Sequence, residues 1–443
     1  MSTLTLVIII VFVVGYICIA TESLLKINKA AIALLMCVFC WTLLMMAPGS
    51  FYPDVAPDGL IGHISEVIEH HLGDAAGTLF FLMGAMTIVE IVDSNGGFNF
   101  VRDALKTRSK RKLMWRVAFM TFFLSAILDN LTTSIVMIMV LRKLVQSHSE
   151  RLIYAALIVI AANSGGAFSP IGDVTTIMLW IKGVITTQGV LTEIFIPSLV
   201  SMVIPAFILQ YSLNGKFDKS QNLPKAEVTQ FTKVQRDIIF WLGVGGLVFV
   251  PIFKTITHLP PFMGILLVLG ILWTVTEIFH HNTSEDDTMA KRVSDLLSRI
   301  DLSTIMFFLG ILMAVAVLQE IGVLTRLGEG LNEAFNGNHY LVTGIIGVLS
   351  SIVDNVPLVA GCMGMYPVQP TGDMAVDGIF WQLLAYCAGV GGSMLIIGSA
   401  AGVVVMGLEK ITFGWYMKKI TWIAFVGYLA GILVYWLERT FIF

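Results

Sequence analysis

Charge is scarce in this sequence. Asp, Glu, Lys and Arg make up 13% of its 443 residues, where a soluble protein carries about a quarter. Hydrophobic residues make up 56%. That balance excludes a water-soluble main body and leaves a polytopic membrane protein, with each long apolar run a candidate span. The net charge is −3, so no basic surface for nucleic acid is expected. Cysteine is sparse too. Cys18, Cys37, Cys40, Cys362 and Cys387 lie in or beside apolar runs and read as packed or lipid-facing thiols, not as disulfides or a metal site. The sequence has no Walker A motif, Gly-rich nucleotide loop or paired Cys/His metal spacing, so ATP-driven pumping has no support. No nucleophile–base pair is visible; an enzyme is not expected, nor a cofactor. The first apolar run, Leu4 to Ala20, lacks a basic stretch before it and a small-residue cleavage site after it. It reads as a retained helix.

What is present is a set of long apolar runs. Predicted spans cover 3–21, 29–47, 76–94, 151–182, 190–212, 238–256, 261–280, 302–322, 379–408 and 420–438. Two more apolar regions, 113–143 and 340–366, each hold an Asp-Asn pair near the centre. Basic residues collect on the cytoplasmic side of membrane proteins. Here 23 of the 27 Lys and Arg fall in one set of loops, and only Lys182, Lys254, Arg326 and Arg439 fall in the other. Segment 48–75 has none but carries Asp54, Asp58, Glu66, Glu69 and Asp74, which puts it outside. By the same rule both flanks of 113–143 are cytoplasmic and both flanks of 340–366 are external. Neither region crosses. Each reads as a re-entrant hairpin whose tip must be buried in protein or line a watery cavity.

The two halves are related. Ser125-Ala-Ile-Leu-Asp129-Asn130-Leu-Thr132-Thr133 returns as Ser350-Ser-Ile-Val-Asp354-Asn355-Val-Pro357. Gly165-Gly166-Ala-Phe-Ser169-Pro170-Ile-Gly172-Asp173 returns as Gly391-Gly392-Ser393-Met-Leu-Ile-Ile-Gly398-Ser399. Asp129 to Asp354 is 225 residues, and both glycine pairs are 226 apart. The predicted fold class is therefore all-α and membrane-embedded, an inverted repeat of two units. The first unit is 1–212, with hairpin 113–143 and broken helix 151–182. A cytoplasmic linker at 213–237 follows. The second unit is 238–443, with hairpin 340–366 and broken helix 379–408. Each unit has five spans and one hairpin, so both termini lie outside. Segment 282–300 is a polar loop with room for an amphipathic helix. Broken, duplicated segments with carboxylates at the breaks are how secondary transporters build an ion site at the midplane.

Asp129, Asp173 and Asp354 lie deep in apolar sequence, where a carboxylate is costly and marks a functional site by default. They are the predicted proton-binding groups. The competing reading is that they cap broken helices or pair with a base. No Lys or Arg lies in the middle of any predicted span, which argues against pairing. Asn130, Thr132, Thr133, Thr175 and Thr176 cluster with the acids, and Asn163 and Ser164 precede the first Gly-Gly. Their oxygens suit a hard cation where the backbone is unwound. The alternative for each Thr or Ser is a hydroxyl bonded back to its own helix. The second copy departs from the first: Pro357 replaces a Thr and Ser399 replaces an Asp, leaving Ser350, Ser351, Ser393 and Ser399 as a weaker mirror site. Glu22, Glu90, Asp93, Glu277 and Glu320, near span ends, and His63, His70 and His71, in the external segment, read as solvated or capping groups.

At these residues the chain resembles the NhaD-type sodium/proton antiporters of the ion transporter superfamily. The resemblance runs over almost the whole chain and is carried by Ser125–Thr133, Asn163–Thr176 and Ser350–Asn355. It implies exchange of Na+, with Li+ as a further cargo, for H+. It also implies a bacterial inner membrane, a homodimer of scaffold and transport domains, a role in pH homeostasis and elevator-like motion. Family ion-binding residues map onto Asp129, Asn130, Asn163, Asp173, Thr175, Thr176, Ser350 and Asn355. The runner-up is an anion carrier for dicarboxylate or arsenite, built on the same two-hairpin plan. Dicarboxylate carriers bring Ser-Asn-Thr to the tips, whereas Asp takes the Ser position in both hairpins here, and carboxylates repel a dianion. A channel is disfavoured by the two opposed hairpins.

Overall fold

The structure, a computed structural model, describes residues 3–98, 101, 104–213, 215–217, 231–281, 293–352 and 354–442. Among these residues every named element is helical, and the one extended contact is an isolated bridge between Ser109 and Lys216. Seven described helices are long and apolar enough to cross a membrane: 29–46, 57–94, 195–212, 233–257, 261–281, 302–320 and 421–441. The protein is a multi-pass membrane protein. Backbone polar groups in hydrocarbon must be satisfied within the chain, which is why helices take over wherever charge is absent.

Five regions read from the sequence take a definite form. The span expected at 76–94 is the end of a longer helix, Leu60–Ser94. The acidic stretch before it is helical as well, because nothing after Pro57 interrupts the helix. The two regions read as hairpins are helix pairs, Lys110–Leu128 with Asn130–Leu144 and His339–Ser350 with Asn355–Met365. The two long spans with internal Gly-Gly are each broken, into His148–Ala167 with Val174–Lys182 and Ile379–Gly391 with Ala400–Glu409. Most of the 213–237 linker and of the 282–300 loop lies outside the described residues. Of the latter, Val293–Leu297 forms a short helix.

Helices 3–20, 29–46, 60–94, 233–257, 261–281 and 302–320 pack on one another. The two hairpins, the two broken helices and helices 195–209 and 421–441 form a second packed group. The groups meet where 302–320 touches 355–365, where 60–94 touches 174–182 and where 233–257 touches 110–128. Glycine allows the closest approaches inside the second group. A Cβ on Gly172 would come 2.8 Å from the Ser125 carbonyl oxygen, and one on Gly398 would come 2.6 Å from that of Ser351. Gly165 lies in the same way on the Phe122 carbonyl and Gly391 on that of Gly347. Each hairpin is also pinned by a serine: Ser125 donates to the Ala162 carbonyl at 2.6 Å and Ser350 to that of Ala388 at 2.8 Å.

Polar contacts at the helix ends fall into two sets that follow the basic-residue count. Glu409, fully buried, accepts from Arg142 and Arg151 at 2.6 Å each, and Lys110 pairs with Glu150. All three bases belong to the predicted cytoplasmic loops. Lys182 pairs with Asp74 at 3.5 Å, Lys254 donates to the Trp180 carbonyl at 2.8 Å, and Arg439 pairs with Glu193 at 3.3 Å. Those three bases belong to the predicted external set.

Candidate ion-binding site

The first hairpin turns on a single residue. Asp129 has φ 79° and ψ 159°, a region open almost only to glycine that costs about 1–3 kcal/mol for another residue. Its carboxylate caps the next helix, accepting from Thr132 N at 2.7 Å and Thr132 Oγ1 at 2.8 Å. Those bonds hold the strained turn and satisfy one of the orphan N–H groups at the helix start. Asp173 caps the second half of the first broken helix in the same manner. Its Oδ1 accepts from Thr175 N and Thr175 Oγ1, at 3.0 and 3.1 Å, while Thr176 Oγ1 donates to the Asp173 carbonyl at 2.8 Å. The capping role weighed from the sequence is therefore filled by both acids.

Capping does not use up Asp173. Its side chain is 1% exposed, and both hairpins reach it. Asn130, at the first tip, donates to Asp173 Oδ2 at 2.9 Å. Asn355, at the second tip, donates to both carboxylate oxygens at 3.3 Å. Asn130 also donates to Asn163 Oδ1 at 3.0 Å. Asn163 in turn donates to Ser393 Oγ at 3.0 Å and Ser399 Oγ at 2.9 Å, at the second break. One buried network thus joins both hairpin tips and both helix breaks through Asp173 and three asparagine amides. Among the described residues no Lys or Arg is paired with Asp129 or Asp173.

The citrate transporter family, CitMHS, matches residues 16–383. A protein named sodium/proton antiporter 1, from Arabidopsis thaliana, is 45% identical over 96% of this chain and 71% of its own length. The Na(+)/H(+) antiporter NhaD of Alkalimonas amylolytica is 31% identical over 97% of this chain and 89% of its own. The chain belongs to the NhaD-type sodium/proton antiporters. That is a family of transporters, not of enzymes. Its fold is shared with the YdaH transporter of Alcanivorax borkumensis, at a TM-score of 0.59 and 13% identity, over 92% of this chain and 98% of that one.

The remaining predicted site residues of this NhaD-type chain divide. Thr133 is buried beside the first tip, and its hydroxyl has no hydrogen-bond partner, leaving an oxygen free. Ser350 is spent on the Ala388 carbonyl as donor. Ser164 accepts from Ser201 on the neighbouring helix at 2.9 Å and stands apart from the Asp173 network. Asp354 corrects an expectation. Basic pairing of the acids was set aside because no base lies inside a span. Yet Asp354 Oδ2 accepts from Lys29 Nζ at 2.8 Å. A lysine at the first residue of a helix can send its long stem along apolar surface to a buried partner, so position in the span is a poor guide to reach.

One histidine of the segment 48–75 has a carboxylate partner. His71 Nε2 lies 2.8 Å from Glu320 Oε1, and Tyr52 donates to Glu320 Oε2 at 2.8 Å. His70 and His71 line a cavity of about 750 Å³ with Asp74, Lys182, Lys254 and Glu320. This cleft lies between the first helix group, the second half of the first broken helix and the second hairpin.

Proposed function

We propose that this protein is a secondary transporter that exchanges Na+ for H+ across its membrane by alternating access. One observation carries the reading: a buried carboxylate, Asp173, receives an amide from each hairpin and no basic side chain among the described residues. A carboxylate so placed needs a positive partner, and a proton or a small hard cation can serve. Protonated, it is neutral and needs no counter-charge. Ionised, it takes Na+. Asn130 and Asn355 turn their amides to offer Oδ1, and the Thr175 hydroxyl, Asp129 and the free Thr133 oxygen complete an oxygen shell of the kind hard cations take. Na+ and H+ then contend for the same oxygens, so each lowers the affinity for the other. That is sufficient for exchange without a separate proton relay.

The finer points of this reading rest on different supports. An inverted repeat is supported by the matched serine pins, the matched glycine contacts and the two Asn residues that meet at Asp173. Elevator-like motion of the hairpin-bearing group against the other helices is supported by the packing division. Li+ as a second cargo, a homodimer and a role in pH homeostasis follow from family resemblance. So does a bacterial inner membrane, although curated relatives come from plants as well as bacteria. The family's citrate description raises an anion cargo, but Asp129 and Asp173 carry no basic partner among the described residues. They would repel citrate, dicarboxylate or another anion.

The test is dissipation of a pH gradient in everted vesicles. Na+ and Li+ are expected to collapse ΔpH, and succinate, citrate and arsenite are not. Collapse by an anion and none by Na+ would overturn the proposal.

A further inference from the structure

Lys29 opens the helix Lys29–Met46. Its root is fixed: the Lys29 N–H donates to Glu22 Oε1 at 3.0 Å, and Asn28 caps the same turn through Ala30 N at 2.8 Å. Asn28 is bonded in turn to Ser303 on the neighbouring helix, at 2.8 Å. The ammonium lies 4.3 Å from the centre of the Phe307 ring, on helix Leu302–Glu320, a favourable place for a cation. From this anchored root Nζ crosses to Asp354 at 2.8 Å. Lys29 and Phe307 belong to the first helix group; Asp354 belongs to the second hairpin.

We infer that Lys29 is a tethered cation that latches the second hairpin to the first helix group, so that the Lys29–Asp354 pair breaks and re-forms in every exchange cycle. This rests on the reading of the protein as an alternating-access antiporter. Three observations lead to it. The pair bridges the two packed groups, so relative motion of the groups must stretch it. The side chains are 23% and 14% exposed, and a partly buried pair is screened less than a surface pair, so its rupture has a real cost. Asp354 is also the immediate neighbour of Asn355, which donates to Asp173. A movement of the hairpin-bearing group that carries the ion site therefore carries Asp354 away from Lys29 in the same step.

Sidedness sets the direction. Lys29 belongs to the predicted cytoplasmic set, while the second hairpin enters from outside. The pair therefore forms when the tip reaches furthest inward, and it favours that position. The third acid of the sequence is thereby assigned: Asp354 is neutralised by the protein's own lysine, and the transported cation is left to Asp173 and Asp129.

The experiment uses the full chain with Lys29→Gln, Asp354→Asn and the exchanged pair Lys29→Asp with Asp354→Lys. The latch predicts that each single change alters Na+ turnover by on the order of tenfold with little change in Na+ KM, and that the exchanged pair regains much of the loss. Asp354→Asn that raises KM and spares turnover overturns the latch and returns Asp354 to the cation shell. The second readout needs no cargo. Ile352→Cys, beside the tip and 50% exposed, is labelled from each side with a membrane-impermeant maleimide. Lys29→Gln is expected to shift the balance of labelling towards the external face several-fold; an unchanged balance overturns the latch. Failure of the antiporter reading gives a different result, a wild-type protein that collapses no ΔpH with Na+ while the labelling shift persists.

Discussion

Asp173 serves two ends at once. Its Oδ1 caps a helix through Thr175 and its carboxylate gathers an amide from each hairpin. Capping alone is satisfied by Asn, which also accepts hydrogen bonds and caps well. The proposed exchange needs the charge as well. Asp173→Asn is therefore expected to accumulate and fold normally yet lose Na+/H+ exchange by at least about a hundredfold, or roughly 2.7 kcal/mol of barrier, measured by ΔpH collapse. Exchange at near wild-type rate would reduce Asp173 to a cap. Asp129→Asn is expected to lose exchange as well. Thr133→Val removes the buried, unpartnered hydroxyl. It is expected to leave stability near wild type, because that oxygen has no bond to lose, and to raise the Na+ KM if the oxygen joins the cation shell. An unchanged KM would remove Thr133 from that shell.

At the scale of elements, the hairpins and broken helices are held at carbonyl-contact distance by glycines. Gly165→Ala or Gly391→Ala would press a methyl group onto the Phe122 or Gly347 carbonyl. Overpacking of this kind costs about 1–3 kcal/mol and is expected to lower the melting temperature in detergent for both variants. Gly245→Ala, on a helix where a Cβ meets nothing within 4 Å, is the control and is expected to melt as wild type. The elements themselves are legible in the sequence because apolar runs, the absence of Lys and Arg from the middle of the predicted spans and paired Gly-Gly breaks leave few other arrangements for a chain in lipid. The meeting of Asn130 and Asn355 at Asp173 was legible only as a cluster. Which amide faces which carboxylate depends on the crossing of elements more than 180 residues apart. Lys29 was missed for a physical reason: a long flexible side chain reaches well beyond its own backbone position. The helical extension back to Leu60 is not legible in the apolar run, because the acidic residues of 48–75 end that run while still tolerating helix outside the hydrocarbon.

Over the whole molecule, the ion pairs fall into two sets, and the basic-residue bias predicts which set faces the cytoplasm. Lys110→Cys is expected to react with an impermeant maleimide from the cytoplasmic side only, and Asp58→Cys from the outside only; the reverse pattern would invert the topology. Disulfide crosslinks between hairpin Asn355–Met365 and helix Leu302–Glu320, which touch across the group boundary, are expected to arrest exchange reversibly, as a moving hairpin group requires. Full exchange in several such crosslinked pairs would count against an elevator. The central claim, however, is that Na+ and H+ hold the same carboxylate in turn. Purified protein in proteoliposomes allows Na+ KM and maximal rate to be measured from high to low pH, equal on both faces. Competition at one site predicts that, in the range where the carboxylate is mostly protonated, KM rises roughly tenfold for each unit of falling pH while saturating Na+ restores binding. A Na+ KM that stays flat across that range would contradict the account.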